Sequence, residues 1–534
     1  MSQQAKKQTF LHGAALLAMA TAVVKIIGAL YKLPLKMVID DVGYGYFCTA
    51  YDIYSVLLLI STAGLPVAMS RMISQASALG QYNQVRRVYK TARAIFLGLG
   101  AVSSALMILF CRQLAQFQQQ PNAAAAIMAL GPCAFLMGIL STYRGFFQGQ
   151  GNMLPTSTSQ VLEAIFKLVV GLVAAFAILR FTNSIPLAAA GAILGVTVSC
   201  VISSVYLFTC FRKSYSQLPV TEEAVTSYGT TAKRLLAIAV PITIGAAGLQ
   251  ILTVLETNLY MGQLLTANGL SQERADTMKG IYNMAQTIYN MPCAFITPIT
   301  ISVIPAVTSH LTLSNDRGVR NTEESAARIT ALLSLPCSVG LILLSRPIMA
   351  LLGGYSGEKL ELASTLMSLL GVSVFLHAVV LVTNALMQAH GHANIPVVNM
   401  LCSGVLKLIL VFILTGNSAI GILGVPIGTA LCNLCIAILN IFAMGRCIPQ
   451  KPAFVRNLLR SMPPAALMGA AAWGTWQLMM RLLGSNGSRV LLCMGPIAVG
   501  GVVYLVCAVL FKSITREDCL LLPKGEKIAT LLHL

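Results

Sequence analysis

Charge is scarce in this chain. Only 10% of its 534 residues carry a formal charge, against ~25% in ordinary soluble domains. With 56% hydrophobic residues and a mean hydropathy of +0.78, that scarcity excludes a soluble globular enzyme. Apolar dominance without a strict short repeat excludes disorder, collagen and coiled coil as well. Acid is scarcer still, with 17 Asp+Glu against 36 Lys+Arg and a net charge of +19. In a soluble protein that balance would point to nucleic acid. Here the basic residues gather in short loops between apolar runs, the positive-inside pattern of membrane proteins, so no nucleic-acid partner is expected. The phosphate-cradling pattern G-x-x-x-x-G-K-[ST] is missing, which excludes ATP-driven pumping by this chain alone. Its 6 His are scattered and no Ser/His/Asp set stands at interpretable spacing, so the chain is not expected to be an enzyme.

What is present is a series of apolar runs. A membrane-spanning helix needs roughly 20 mostly apolar residues, and about fourteen such runs can be drawn here. They fall near 10–38, 44–69, 92–111, 122–143, 157–179, 187–211, 235–264 and 281–305, then near 329–352, 361–387, 396–415, 420–445, 462–480 and 490–511. Backbone crossing lipid must satisfy its own hydrogen bonds, which means helices, since a barrel would show short alternating strands. The amino terminus resembles a signal peptide, with Lys6 and Lys7 before an apolar run containing Ala18-Met19-Ala20. The run continues to about Val38, so it is read as a retained first span. Placing that terminus in the cytoplasm puts 23 Lys and Arg on the cytoplasmic side and 8 on the other, with 5 in or against the spans. Both termini are therefore expected to be cytoplasmic.

The chain also repeats itself. Gln148, Gly151 and Lys167 recur 240 positions later as Gln388, Gly391 and Lys407. Leu65-Pro66-Val67 before Ser70 is answered by Ile304-Pro305-Ala306 before Ser309. Gly191-x-x-x-Gly195 and Gly424-x-x-x-Gly428 mark the sixth and twelfth spans, and such pairs allow close helix contact. The expected fold is an all-α polytopic membrane protein of about fourteen helices in two pseudo-symmetric six-helix lobes, residues 1–220 and 221–445. Two further helices and a cytoplasmic tail occupy 446–534. The polar stretch Arg212–Arg234, with Glu222 and Glu223, is the expected connection between lobes.

Most of the fourteen cysteines lie in apolar runs (Cys133, Cys200, Cys402, Cys507) and read as buried free thiols. Cys432-x-x-Cys435 on an apolar helix has no second ligand pair, and His390-Gly391-His392 reads as a polar turn, so no metal is expected.

Two lobes of this kind describe a transporter rocking about a central cavity. Hinge candidates are Gly64 and Pro66 in the second span, Pro241 in the seventh and Pro305 in the eighth, with static kinks as the plainer reading. Intramembrane charge is the sharper signal, because each such group is costly unless paired or hydrated. Lys25 stands in the middle of the first run. Lys32 and Lys36 lie toward its outer end, where snorkelling explains them and Asp52 offers a partner. Glu163 and Lys167, four apart on the fifth helix, read first as an intrahelical ion pair. Lys407 holds the matching place in the second half. Glu256 stands among Gln250, Thr253, Thr257 and Asn258, a setting suited to a proton or Na⁺. A cavity with Lys25, Lys32, Lys167 and Lys407 outnumbering Asp52, Glu163 and Glu256 favours an anionic, phosphate-bearing substrate. Tyr31, Tyr51, Tyr54, Tyr282 and Tyr289 fall on helices expected to face it and could stack on sugars.

Several stretches carry a family resemblance. Lys7-Gln8-Thr9-Phe10-Leu11, Gly64-Leu65-Pro66-Val67-Ala68, Arg144-Gly145-Phe146-Phe147-Gln148-Gly149 with Asn152-Met153, Ser159-Gln160-Val161-Leu162-Glu163 and Ala188-Ala189-Ala190-Gly191-Ala192 resemble the stage V sporulation protein B family. That family belongs to the multidrug/oligosaccharidyl-lipid/polysaccharide (MOP) flippase superfamily. The resemblance implies a multi-pass protein of a bacterial cytoplasmic membrane, acting as a monomer among membrane lipids on a lipid-linked saccharide. The implied activity is transfer of an undecaprenyl-pyrophosphate-linked saccharide or peptidoglycan precursor across the membrane by alternating access. The alternative is a MATE-like, cation-coupled exporter of small drugs. Lys25-Ile26-Ile27-Gly28 is similar to a first-helix motif of lipid II flippases whose basic residue faces the cavity, with Lys in place of Arg. Gln250 followed six residues later by Glu256 is similar to their seventh helix, the acid being a departure. No cofactor is implied, beyond Na⁺ or H⁺ as a coupling ion.

Overall fold

The computed structural model describes residues 3–62, 64–220, 225–449, 453–484, 488–511 and 513. Side chains are described from Met19 onward, apart from positions inside helices that include Gly245, residues 298–302 and Pro305. Glu222 and Glu223, the side chain of the hinge candidate Pro305, and the tail beyond residue 513 lie outside the described residues.

Among the described residues all regular structure is helical. Contacts group the chain into two compact units, Met1–Gly280 and Ile281–Leu534. The first holds α1 (Gln3–Thr62), α2 (Leu65–Ala78), α3 (Tyr82–Leu109), α4 (Cys111–Phe117), α5 (Ala124–Gly149), α6 (Leu154–Thr182), α7 (Ile185–Ser216) and α8 (Tyr228–Thr266). Helix α9 (Gln272–Thr312) begins in the first unit and continues into the second. There α10 (Asp316–Leu343), α11 (Ser345–Leu352), α12 (Gly357–Ala389), α13 (Asn394–Gly416), α14 (Gly424–Cys447), α15 (Phe454–Leu459), α16 (Met462–Leu483) and α17 (Arg489–Leu510) follow. Eleven stretches among the described residues are long and apolar enough to cross a membrane. The chain is a multi-pass membrane protein. The first of these stretches, Met19–Ala78, takes in the expected first and second spans together. The expected spans near 281–305 and 462–480 are helical in α9 and α16 but fall outside the eleven.

Two breaks shape the first unit. Helix α1 is interrupted at Asp40, whose φ of 56° and ψ of −177° leave helical space. Across that break the Lys36 ammonium pairs with the Asp41 carboxylate at 3.3 Å, both side chains buried, so Lys36 is held by an acid rather than by snorkelling alone. The second break lies between α1 and α2. Pro66 sits in the first turn of α2, where a missing N–H leaves no bond unmade. The Gly64 amide donates to Thr243 Oγ1 on α8 at 3.2 Å. A β-carbon on Gly64 would collide with the Ala239 carbonyl, so only glycine allows α8 this close. Pro241, by contrast, lies inside an uninterrupted α8.

The small-residue pairs behave as their spacing predicts. A β-carbon on Gly195 of α7 would strike the backbone of Gly171 on α6, and one on Gly191 would lie 3.1 Å from the Ala174 carbonyl. In the second unit a β-carbon on Gly424 would lie 2.9 Å from the Thr415 amide, and one on Gly428 2.7 Å from Val411. Backbone-to-backbone contact of this kind replaces the hydrophobic drive that lipid removes.

The second unit buries an aliphatic core that includes Ala327, Leu335, Val379, Met387 and Ile436. The buried Asn440 of this unit is bonded. Asn440 donates to Thr383 Oγ1 at 3.0 Å and to Asn384 Oδ1 at 2.7 Å. The turn after α12 is more than a polar loop, since His390 Nε2 meets the buried Glu323 carboxylate at 2.6 Å.

Candidate functional site

In the first unit, Lys167 of α6 is carried by aromatic faces. Its ammonium stands 4.6 Å from the centroid of the Tyr51 ring and 5.7 Å from that of Tyr31. A cation over such rings gains ~0.5–2 kcal/mol, more as water is excluded. The rings are fixed in turn. Tyr31 donates its hydroxyl to the Ala192 carbonyl of α7 at 3.1 Å. Phe47 lies edge-on to Tyr31 at 5.9 Å and tilted over Tyr51 at 4.8 Å. The close α6–α7 crossing at Gly171 and Gly195 brings Lys167 to this wall.

Glu163 takes a different partner from the one its spacing predicts. Its Oε2 accepts from Arg144 Nη2 of α5 at 2.9 Å, while Arg144 Nε donates to Ser159 Oγ at 3.1 Å. A guanidinium presents several donors in a fixed fork and spans Ser159 and Glu163, one turn apart, better than an ammonium can. The expected Glu163–Lys167 ion pair is thus replaced by a bond between helices. Arg144 and the Ser159–Glu163 stretch, read separately in the sequence, become one structural unit.

The second cluster joins α1, the segment after α4, and the start of α9. Lys279 is fully buried, and its ammonium donates to Gln120 Oε1 at 3.0 Å and to Thr49 Oγ1. Gln120 Nε2 donates to Asp276 Oδ1 at 2.8 Å, Gln272 Nε2 reaches the same oxygen at 3.0 Å, and the Tyr46 hydroxyl donates to Asp276 Oδ2 at 3.0 Å. Three donors on one carboxylate offset part of the cost of its burial, as buried polar groups require. Helix α8 is tied to the same region, for Gln118 donates to the Val254 carbonyl at 3.1 Å and Asn258 to the Phe117 carbonyl.

Asp52 links the clusters. It lies within electrostatic reach of Lys32, Lys279 and Glu256, and Lys32 is in turn within reach of Lys167. Glu256 is buried on α8, yet two of its expected neighbours are occupied: Thr257 bonds back to the Thr253 carbonyl at 3.2 Å, and Asn258 to Phe117. Lys25 is exposed on α1, and Lys407 is half-buried on α13 in the second unit. Tyr54, Tyr282 and Tyr289 are buried, as is Tyr31. The arrangement offers one ammonium on aromatic faces, a second on neutral oxygens, and bonded carboxylates beside them.

Sequence reasoning missed Lys279, Asp276, Gln120 and Tyr46. Hydropathy begins the eighth span at 281 and leaves Lys279 in a loop, whereas α9 begins at Gln272. The Asp276-x-x-Lys279 spacing on one helical face was the available signal.

Residues 10–310 match the model of the family described as polysaccharide biosynthesis protein, and residues 279–413 match that of MatE. Stage V sporulation protein B of Bacillus subtilis (strain 168) is 23% identical over 521 residues, covering 97% of this chain and 98% of that one. The lipid II flippase MurJ of the same organism is 24% identical over 416 residues, covering 75% and 76%. Among solved structures, lipid II flippase MurJ in an inward closed conformation superposes with a TM-score of 0.65 at 15% identity, covering 93% of this chain and 99% of that one. An inward-facing multidrug resistance MATE family transporter of the MOP superfamily gives 0.62 at 17% identity, covering 80% and 99%.

Proposed function

The chain belongs to the polysaccharide biosynthesis protein family, and from that premise we propose that it is a flippase moving an undecaprenyl-pyrophosphate-linked saccharide or peptidoglycan precursor from the inner to the outer leaflet. The observation that carries this reading is Lys167. Its ammonium rests on the Tyr31 and Tyr51 faces while Arg144 occupies Glu163, the nearest acid along its own helix. A cation held on rings exchanges that contact readily for a pyrophosphate oxygen, whose charge is the stronger partner. Lys25 and Lys32 on α1 supply further positive charge, and Lys407 repeats the motif in the second half.

Fourteen membrane-spanning helices with both termini cytoplasmic complete this reading. Transport proceeds by alternating access, the phosphate entering from the cytoplasmic side and the isoprenoid remaining in lipid. With no nucleotide site in the sequence, drive comes from an ion gradient, the membrane potential or the substrate gradient. In this reading Glu256 and Asp52 take up H⁺ or Na⁺ as the lysines meet or release phosphate, while the third candidate, Glu163, is engaged by Arg144. A MATE-like drug exporter is the second reading, favoured by the MatE match over residues 279–413.

Movement of a fluorescent lipid-linked oligosaccharide in proteoliposomes decides between the two. Protein that flips the lipid and ignores ethidium-like cations supports the proposal. Movement of such cations without any lipid-linked sugar replaces it with the exporter.

A further inference from the structure

Cys133 on α5 and Cys200 on α7 bring their sulfurs to 3.3 Å, and both residues are fully buried. The Tyr54 hydroxyl lies 3.3 Å from Cys133 Sγ, and Met137 Sδ lies 3.8 Å from Cys200 Sγ. The pair is connected to the Lys167 wall by an edge-on ring contact. Tyr54 meets Tyr51 edge-on at 6.0 Å, and Tyr51 is the nearer of the two rings beneath Lys167.

We propose that Cys133 and Cys200 form a redox-modifiable dithiol, which a peroxide closes to an intramolecular disulfide and so displaces the Tyr51 face that carries Lys167. Sulfurs already in contact need approach by only about 1.2 Å more to reach the ~2.05 Å of a disulfide bond. Hydrogen peroxide is uncharged and near water in size, the class of oxidant that penetrates packed helices within a bilayer. One sulfur, on giving up its proton, attacks a peroxide oxygen to form a sulfenic acid, and the departing hydroxide takes that proton as one water. The sulfur of the second thiol then attacks the sulfenic sulfur, forming the S–S bond and releasing the second water. The two thiols lose two electrons and the peroxide gains them, with both thiol protons ending in water. Bond formation removes the sulfhydryl that meets the Tyr54 hydroxyl and draws α5 toward α7. Tyr54 must find another position, and Tyr51 moves with it.

The dithiol stands whatever the chain carries, while its effect on transport rests on the proposed function. The full chain in proteoliposomes is treated with hydrogen peroxide, alkylated under denaturing conditions and digested for mass spectrometry. The expected product is a Cys133–Cys200 linked peptide, removed by dithiothreitol and missing from Cys133→Ser. Oxidation of the exposed Cys402 without any Cys133–Cys200 link overturns the proposal. In the same vesicles, oxidation should slow lipid movement severalfold in wild type, reversibly, and leave Cys133→Ser as fast as before. A link formed with undiminished transport overturns the connection to Tyr51. Should untreated protein move no lipid, the function reading is at fault. The melting temperature then serves, rising on oxidation in wild type and not in Cys133→Ser if the proposal holds, and unchanged in both if it fails.

Discussion

Gly280 at the start of α9 lies against the backbone of Asp41, so closely that a β-carbon built on it would collide with the Asp41 carbonyl. This contact seats the Asp276–Lys279 turn on α1 beside the break at Asp40. Backbone cannot yield as a flexible side chain can, and overpacking of this kind costs ~1–3 kcal/mol. Gly280→Ala should therefore lower the thermal midpoint of the purified protein in detergent. Gly45→Ala is the control, because its new methyl would meet the Asp276 carbonyl at an ordinary 3.4 Å. Equal melting of the two variants would show that the close approach is not needed.

Lys279 is buried with its charge balanced by neutral acceptors and by Asp52 and Asp276 within electrostatic reach. Removing one member of a buried charge network strands the others, at about 3–5 kcal/mol. Lys279→Met, which keeps length and loses charge, should destabilise the protein by roughly that amount. Adding Asp276→Asn should restore part of the loss, since the stranded carboxylate is then neutral. A double-mutant cycle by thermal denaturation measures the coupling. Strictly additive effects would separate the two groups.

Lys167 and Glu163 illustrate what the sequence makes legible and what it hides. Among the described residues the fourteen apolar runs are helical apart from short breaks such as Gly64 and Leu344, because a long apolar run reports a lipid-facing helix directly. The Gly191/Gly195 and Gly424/Gly428 pairs were readable for the same local reason. Arg144 lies 19 residues before Glu163, and no periodicity reports a partner on another helix. Lys279 is hidden by a boundary, since α9 begins in polar residues at Gln272, before its apolar run. The break at Asp40 falls in the 39–43 gap between the first two expected spans, where Asp40-Asp41 and Gly43 interrupt the apolar run.

The lysine on the rings makes a functional prediction. Lys167→Ala should abolish lipid movement with folded protein still in the membrane, whereas Tyr51→Phe, which keeps the ring face, should transport nearly as wild type. Glu163→Gln leaves Arg144 without its charged partner and should cost ~1–3 kcal/mol of stability. Flipping rates in proteoliposomes beside melting curves separate these effects. Normal transport by Lys167→Ala would remove the observation on which the proposed function rests.

Orientation is tested at Ser227. This residue is exposed and caps α8 by accepting from the Thr230 amide at 3.2 Å, within the polar stretch between the sixth and seventh spans. With 23 basic residues assigned to its side of the membrane against 8 on the other, a cysteine placed there should resist impermeant maleimide in intact cells. It should react once the membrane is opened. Labelling in intact cells would invert the topology.

The last prediction separates binding from drive. Lys25 is exposed on α1 and Glu256 buried on α8, and both helices belong to the first compact unit. If Lys25 receives pyrophosphate, the requirement is positive charge and not ammonium geometry. Lys25→Ala should then abolish flipping while Lys25→Arg retains most of it. If Glu256 takes up the coupling ion, its charge matters only through that ion. Glu256→Gln should leave substrate binding intact and flatten the dependence of transport on pH or Na⁺. Coulomb attraction between unit charges at ~4 Å, with an effective dielectric near 20, is about 4 kcal/mol. Even a fraction of that, surviving desolvation, shifts a two-state transporter several-fold toward one face. Transport measured across a pH series at fixed Na⁺, then across a Na⁺ series at fixed pH, identifies the ion. An unchanged profile in Glu256→Gln would leave Asp52, within electrostatic reach of the same lysines, as the carboxylate to test next.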